Sequence, residues 1–383
     1  MIALNIAETR RALRLMRGAY PKRYGVQPCL SLVNHGGASA LRAVDPCGIE
    51  ITMALPLSQI VSGRDEIHDI PFFALGAMLR PKADSPDVEI AAPEAGRVSM
   101  GVDGMLASFI VRKTEDVASL FEYSRKLREP GEPCPSLTIG AKPLAKALAL
   151  CARSMSVEET RYYLNGVYLS PHPTDDTAVV FVSNDGHRMI KHALAGVKHD
   201  LAEGMIIPRE TVAALQTLLA AFPEDTLDLV RVGPTQLLAR GPNLMLRTPL
   251  IDGTFPDYER VIPKEQPLRF TLDADILDRF VKRVAAIGRP RGGVAISGMA
   301  GLDVVNVRCL LEDGGYIQAE IPGQSEDTFE IGFQARYLID AMATLRAQQI
   351  QFFADSQSAP TIISGAAELA DPSTTIVIMP MRI

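Results

Sequence analysis

The run Ser183–Met189 places a carboxylate, an imidazole and a guanidinium within four positions, at Asp185, His187 and Arg188. His187 could act as a general base with Asp185 orienting its ring, which would suit hydrolysis. The same run also fits a β-hairpin, because Asp-Gly is a strong turn signal between two strand-like segments. The hairpin accounts for the motif without catalysis, and a hydrolase using Asp185 and His187 remains an alternative.

A second polar stretch, Asp252–Tyr258, offers two carboxylates that could bind a metal. Its Gly and Pro residues instead favour a turn that carries Phe255 as an apolar plug. The sequence contains no Gly-rich phosphate loop, nucleophile elbow or His-Glu-x-x-His motif. We therefore expect no catalytic residue, no metal, no cofactor and no enzymatic activity.

Composition limits the class of protein. The chain is 47% apolar and 22% charged, with a formal net charge of −6, which is ordinary for a globular protein. Its 383 residues are too many for a single hydrophobic core. No segment has the features of a signal peptide or a membrane span, so we expect a cytoplasmic protein without membrane contact. The five cysteines are far apart and are expected to be reduced structural thiols: Cys29, Cys47, Cys134, Cys151 and Cys309.

The chain contains three similar segments, each a short alternating strand followed by a helical pattern. The strands begin at Ile2, Leu137 and Phe270, which are 135 and 133 residues apart. The helical patterns that follow are 8–18, 142–155 and 275–287. Repeats of this length indicate repeated domains.

Each repeat also carries a second strand end followed by a second helical pattern, within 70–80, 206–215 and 331–340. Short alternating runs lie between the helices. The prediction is an α+β fold of three similar domains, each with antiparallel sheets and two helices. Polar, Pro-rich connections place the domain boundaries at 1–132, 133–265 and 266–383.

Basic residues recur on one face of these helices. Arg10, Arg14 and Arg17 lie within about 60° of one another on the first helix, with Arg11 beside them. When the repeats are superposed, Arg11, Lys146 and Arg279 occupy one position, and Lys282 and Arg283 extend the third stripe. A charged stripe is often only a solvated face. Its recurrence in an acidic protein also fits binding of a polyanion.

Several short motifs resemble those of the bacterial DNA polymerase III β subunit family, the sliding clamps. The matching stretches are 161–166, 184–188, 207–209, 250–258, 260–264, 331–333, 337–338 and 377–383. Their order and spacing cover the last two thirds of the chain, and the first third fits by repeat position and length. A divergent or accessory member is one form that the resemblance allows.

The resemblance implies a ring-forming, head-to-tail homodimer whose inner helices face duplex DNA. Contacts to phosphates would then be independent of sequence. The residues that the resemblance and the basic stripe together assign to the DNA-facing surface are Arg10, Arg11, Arg14, Lys146, Tyr162, Tyr163, Arg209, Arg279, Lys282 and Arg283. For the tyrosine pair, burial in a core is the alternative.

The resemblance also implies a peptide-binding cleft between the second and third domains. Methionines would give it an adaptable apolar floor, and Arg188 and Arg382 would hold polar groups of the peptide. The residues carried over are Leu164, Gly186, His187, Arg188, Met189, Pro256, Arg260, Val261, Gln334, Tyr337, Val377, Ile378, Met379, Pro380, Met381 and Arg382. A core strand with packed methionines is the alternative for the tail.

The implied function is that of a processivity factor, which tethers its partners to double-stranded DNA without catalysis. The implied partners are the DNA polymerase III α subunit, the clamp loader and repair proteins, bound through short motifs, and the implied location is the nucleoid. A different hypothesis is a clamp paralogue that keeps the peptide cleft as a regulatory module but forms no functional ring.

Overall fold

The computed structural model describes residues 2–19, 29–35, 38–44, 48–55, 57–60, 66–79, 85–94, 96–110, 136–287, 293–312, 314–366 and 373–383. The predicted first boundary, Cys47 and Cys134 lie outside these residues. Cys151 and Cys309 are free thiols, and both are buried, which confirms their predicted structural role.

The described residues contain six α-helices, two in each repeat. They are α1 (Ile6–Ala19), α2 (Phe72–Met78), α3 (Ala141–Cys151), α4 (Arg209–Ala221), α5 (Ala274–Ile287) and α6 (Ala335–Leu345). Three 3₁₀ helices, Ala152–Ser154, Glu159–Leu164 and Tyr258–Val261, lie between them. The predicted helical pattern 142–155 thus ends in a 3₁₀ turn, where the Ser154 hydroxyl lies 2.5 Å from that of Ser183.

The strands alternate with these helices. In the first repeat they are β1 (Ile2–Asn5), β2 (Cys29–His35), β3 (Ala38–Val44), β4 (Glu50–Leu55), β5 (Leu57–Ile60), β6 (Glu66–Ile70), β7 (Asp87–Glu94), β8 (Arg97–Val102) and β9 (Met105–Ile110). In the second they are β10 (Ser136–Gly140), β11 (Gly166–Pro171), β12 (Ala178–Asn184), β13 (Arg188–Ala195), β14 (Lys198–His199), β15 (Met205–Pro208), β16 (Thr226–Val232), β17 (Gln236–Arg240) and β18 (Leu244–Pro249). In the third they are β19 (Leu268–Asp273), β20 (Gly293–Gly298), β21 (Val304–Leu310), β22 (Tyr316–Ser325), β23 (Phe329–Gln334), β24 (Gln349–Phe353), β25 (Thr361–Gly365) and β26 (Thr374–Ile378).

Each repeat therefore runs strand, helix, three strands, twice over, with β5 and β14 as additional short strands. Antiparallel pairs join neighbouring strands in all three sheets described below. The predicted α+β fold, with its antiparallel sheets and two helices per repeat, is confirmed.

The strands form sheets of five, nine and twelve strands. Their orders are β5-β1-β7-β8-β9, then β14-β10-β16-β17-β18-β4-β3-β2-β6, and β15-β11-β12-β13-β26-β25-β24-β19-β22-β21-β20-β23. Two pairings join different repeats, β4 with β18 and β13 with β26. The second of these places the last strand of the chain beside the hairpin that contains Asp185.

The chain divides into two compact units. Unit 1 contains Met1–Lys146, Val197–Glu203 and Ile207–Asp252, and unit 2 contains Ala147–Gly196, Gly204–Ile206 and Gly253–Ile383. All residues predicted for the peptide cleft belong to unit 2. The basic residues predicted to face DNA are distributed over both units.

The helices follow from their sequences. In α1 buried positions are spaced three or four residues apart, as in Thr9, Leu13 and Met16, which leaves three of its four arginines on the exposed face. The Asn5 side chain accepts a hydrogen bond from the backbone of Glu8 at 3.1 Å, and caps the helix. Asp273 caps α5 in the same way, through the backbone of Ile276 at 2.8 Å.

Candidate functional site

The hairpin between β12 and β13 closes through the backbone N–H of Asp185, which donates to the carbonyl of Arg188 at 3.2 Å. The two central residues of the loop are therefore Gly186 and His187. Gly186 has a φ of 88°, which an L-residue rarely adopts and which suits the first central position of a tight hairpin. The predicted turn is confirmed, but its central pair is Gly-His and not Asp-Gly.

The Asp185 carboxylate holds this loop together. Its Oδ1 accepts from the backbone N–H groups of His187 and Arg188 at 3.0 Å each. Its Oδ2 accepts from Nε of Arg188 at 2.9 Å. The His187 ring packs instead against Tyr337, with ring centroids 6.5 Å apart. The structure therefore does not build the Asp185–His187 dyad that hydrolysis would require.

Arg188 is a buried residue, 8% exposed, with several polar partners. Besides Asp185, it donates to Asp340 Oδ2 at 2.5 Å and to the carbonyl of Arg153 at 2.5 Å. It also lies 4.4 Å from the centroid of the Tyr337 ring. The role of Arg188 in holding polar groups of a peptide stays a prediction; three of its N–H groups donate to Asp185, Asp340 and the Arg153 carbonyl. Arg188 positions the loop.

The chain terminus passes alongside this hairpin. On β26, Val377 lies opposite Met189 and Ile378 opposite Arg188. Beyond the strand, the backbone N–H of Met379 donates to the carbonyl of His187 at 2.7 Å. Ile376, Val377 and Ile378 are all buried, so both faces of the end of β26 are covered, and Met379, just beyond the strand, is exposed.

The terminal residues 379–383, here called the tail, have a second attachment. The backbone N–H of Met381 donates to the carbonyl of Gly332 on β23 at 2.8 Å. Pro380 and Met381 are half-buried, and Arg382 is exposed. The tail thus connects the hairpin of the second repeat to the edge strand of the third. Gln334 lies two residues further along β23, at the start of α6.

The loop that contains Pro256, Arg260 and Val261 lies beside the same hairpin. Lys191 on β13 forms an ion pair with Glu259 at 2.6 Å. Phe255 is buried and stacks on Tyr168 with ring centroids 4.7 Å apart, so the predicted apolar plug is confirmed. Pro256, Arg260 and Val261 are exposed. Arg260 forms an ion pair with Asp257 at 2.9 Å, so one of the two carboxylates considered for a metal site is paired with an arginine of the same loop.

The structure adds Arg161 to the surroundings of the hairpin loop. A Cβ placed on Gly186 would lie 2.5 Å from Nη1 of Arg161. Arg161 belongs to the 3₁₀ helix that ends in the buried Leu164. Both residues stand in the motif 161–166, so the sequence contained the signal, but nothing in it distinguished the arginine from its neighbours.

The basic residues of unit 1 separate into two groups. Arg10 is half-buried and its Nε donates to the carbonyl of Leu79, and Arg11 donates to the carbonyl of Ala221 at 3.4 Å. The DNA-facing role of Arg10 stays a prediction, and its Nε serves a contact within the unit. Arg14 and Lys146 are exposed and Arg209 is half-buried at the first turn of α4.

In unit 2, Arg279, Lys282 and Arg283 are exposed on α5. Lys282 pairs with Asp278 at 2.5 Å, so this carboxylate offsets part of the positive charge that Lys282 presents to a ligand. Tyr162 is 52% exposed and meets Tyr163 edge-on, with ring centroids 5.9 Å apart. A Cβ on Gly253 would lie 3.1 Å from the Cβ of Tyr163. Tyr162 is therefore not a core residue, although Tyr163 is half-buried.

None of the described helices is long and apolar enough to cross a membrane.

Two family models match the chain. Residues 138–257 match the central domain of the DNA polymerase III beta subunit, and residues 259–382 match its C-terminal domain. Together they cover well over half of the chain.

Curated relatives agree with these matches. A beta sliding clamp of Caulobacter vibrioides is 35% identical over 234 residues, which are 60% of this chain and 61% of the relative. The matched segment thus spans about three fifths of that relative's length. A beta sliding clamp of Proteus mirabilis is 27% identical over 319 residues, 81% of this chain and 83% of the relative.

Solved structures show the same fold over the whole chain. A DNA polymerase sliding clamp of Pseudomonas aeruginosa has a TM-score of 0.85 at 19% identity, and covers 100% of this chain and 99% of its own. The corresponding structure from Caulobacter crescentus has a TM-score of 0.84 at 24% identity, with the same coverage. The family models, the relatives and the fold converge, and the chain belongs to the family of DNA polymerase III beta subunits.

Proposed function

We propose that this protein is a DNA sliding clamp: a processivity factor that encircles duplex DNA as a head-to-tail homodimer, with no catalytic step of its own. It tethers the polymerase α subunit, the clamp loader and repair proteins through the cleft beside the tail. Its place of action is the cytoplasm, at the nucleoid. The observation that carries the proposal is the attachment of the tail, through Met379, to the hairpin that contains His187.

The proposed cleft has the composition that a peptide-binding surface needs. Met379 and Val261 offer exposed, flexible or branched apolar surface, and Arg161, Arg260 and Arg382 are exposed cations around it. Because methionine adapts to different side chains, such a surface suits several partners that share a short motif.

Two strand edges support the proposed ring. Strand β9 is the last of the five-stranded sheet, and its residues Leu106 and Ile110 are 77% and 81% exposed. It contains no charged residue, although edge strands are normally protected by charge. Strand β22 pairs with β19 only through its last three residues, and exposes Tyr316 at its start.

These two edges belong to the first and third repeats. Pairing β9 of one copy with the free part of β22 of another would be a heterologous contact, and two such contacts close a ring. It would cover the exposed apolar residues of both strands, which supports a dimer of identical subunits.

The helix faces support contact with DNA. Within the part of the chain that the structure describes, Arg14, Arg209, Arg279 and Arg283 form no ion pair with an acidic side chain. Arg209 stands at the N-terminal end of α4, where a cation is unfavourable for the helix. Charges that remain unneutralised within the protein are available to phosphates, and such attraction is screened by salt and tolerates sliding.

Retention on closed DNA tests the proposal. The protein is loaded by its clamp loader onto a nicked circular plasmid, which is then linearised in half of the sample, and both halves are gel-filtered. We expect co-elution with the circle and loss from the linear form, since a ring leaves DNA only at an end. Blocking the ends with bound streptavidin should restore retention.

Equal retention on circular and linear DNA with free ends would contradict the proposal. Sedimentation at micromolar concentration separates it from the ring-less regulatory module, which would sediment as a 41.5 kDa monomer.

A further inference from the structure

Two glycines lie beneath the tail. Gly332 stands on β23 and Gly293 on β20, and these strands are paired. A Cβ on Gly332 would lie 2.6 Å from Cγ2 of Ile383 and 2.7 Å from the carbonyl oxygen of Met381. Real Cβ atoms do not approach other heavy atoms so closely, so the tail occupies the space that a side chain at Gly332 would fill.

Gly332 also holds the tail by a hydrogen bond. Its carbonyl accepts from the N–H of Met381 at 2.8 Å, and the only other backbone bond of the tail to the described residues is that of Met379 to His187. The five residues of the tail make two backbone hydrogen bonds and form no regular secondary structure. The position of Met381 therefore depends strongly on how closely the tail approaches β23.

We propose that Gly332 is a positioning residue for the peptide-binding cleft. By lacking a side chain it lets the tail lie directly on the edge strand, and so sets where Met381 stands in the cleft. Gly293 assists from the neighbouring strand. This inference rests on the proposed function for the cleft, whereas the contact between Gly332 and the tail does not.

The distances predict an order of effects. At Gly332 one of the close atoms is the backbone carbonyl oxygen of Met381. This atom can make room for a methyl group only if the backbone of the tail moves. At Gly293 the nearest atom is Sδ of Met381 at 3.1 Å, the flexible end of a side chain that can turn away. At Gly76, on α2, nothing lies within 4 Å of the added atom. None of the three has a left-handed φ, so alanine introduces no backbone strain.

The test uses the full chain with Gly332→Ala, Gly293→Ala and Gly76→Ala as a matched series. The tail is followed by the ¹³C-methyl resonance of Met381, assigned by its loss in Met381→Leu. Binding is measured by calorimetry with griselimycin, which the Bartonella birtlesii and Pseudomonas aeruginosa clamps bind.

We expect Gly332→Ala to shift the Met381 resonance and to weaken griselimycin binding about tenfold, which corresponds to about 1.4 kcal/mol, the size of one lost hydrogen bond. Gly293→Ala should cause less than half of that shift, and Gly76→Ala none. An unchanged resonance and affinity in Gly332→Ala would overturn the proposal, as would an equal effect of Gly293→Ala.

If Gly332→Ala fails to fold, Met381→Pro tests the same contact from the other side. It removes the N–H that donates to the Gly332 carbonyl and leaves the sequence of β23 unchanged. The methyl resonance of Met379 then reports the position of the tail. A Met379 shift and a loss of binding larger than those of Met381→Leu, which keeps the N–H, support the proposal, and values equal to those of Met381→Leu overturn it. If the parent protein binds no griselimycin while the resonances still shift, the proposed cleft fails and the anchoring of the tail by Gly332 stands.

Discussion

Arg188 donates to Asp340 at 2.5 Å, and this bond connects the hairpin loop of the second repeat to helix α6 of the third. Arg153 approaches the other oxygen of the same carboxylate at 3.6 Å. The His187 carbonyl, next to Arg188 in the loop, holds the tail through Met379. The position of the proposed cleft therefore depends on this ion pair.

Replacing Arg188 by Ala should lower the free energy of unfolding by about 3–5 kcal/mol, because it leaves the partly buried Asp340 without its main partner. The double variant Arg188→Ala/Asp340→Ala should cost less than the sum of the single variants. Urea unfolding of the four proteins measures this. Arg336→Ala, an exposed arginine on the same helix, is the control and should change stability by less than about 0.5 kcal/mol. Strictly additive costs would show that the pair is not coupled.

Deleting residues 379–383 should abolish the binding of griselimycin and of the polymerase α subunit, because it removes Met379 and Met381 from the cleft. The dimer should persist, since strands β9 and β22 are untouched. Calorimetry and sedimentation equilibrium report the two properties separately. Unaltered affinity for both ligands would refute the assignment of the tail to the cleft.

Replacing Arg14, Lys146 and Arg279 by Gln should weaken binding of short duplex DNA, and reduce the slope of log affinity against log salt by about one for each lost phosphate contact. Arg14 is chosen over Arg11, which also contacts the end of α4. Fluorescence anisotropy over about 50 to 200 mM salt measures the slope. Lys198→Gln, exposed on the short strand β14, should leave it unchanged. A triple variant with the parent slope would identify the stripe as a solvated face.

Unfolding should become easier at alkaline pH. Burial raises the pKa of Cys151 to about 12 and that of Tyr258 to about 12, whereas an unfolded chain releases these protons near about 8.5 and 10. Their contribution to stability is complete below the unfolded values and is lost as pH rises towards the folded ones, by up to about 1.4 kcal/mol per group and pH unit.

Urea unfolding between pH 8 and about 11 should therefore show a decline that is shallower in Cys151→Ala and in Tyr258→Phe than in the parent. Tyr162→Phe, at an exposed tyrosine outside the proposed dimer contact, should decline as the parent does. Identical slopes in all four proteins would mean that neither buried group is linked to folding.

Local features were predictable from the sequence. The strand and helix at the start of each repeat have strong periodic patterns, and the helix at 275–287 begins one residue earlier in the structure. The hairpin at Asp185 followed from its turn residues. The central pair of that turn was not predictable, because the register depends on which backbone groups pair across the strands.

The sequence by itself determined the three repeats, their two helices each and the apolar character of the tail, because periodicity and turn residues act over a few neighbouring positions. Only the tertiary structure decided which side chains are free to bind. It engaged Arg188 with Asp340 and Arg10 with Leu79, and brought the tail onto Gly332. These partners are 49 to 152 residues apart, and contacts over such separations follow from packing of the whole unit and not from local pattern.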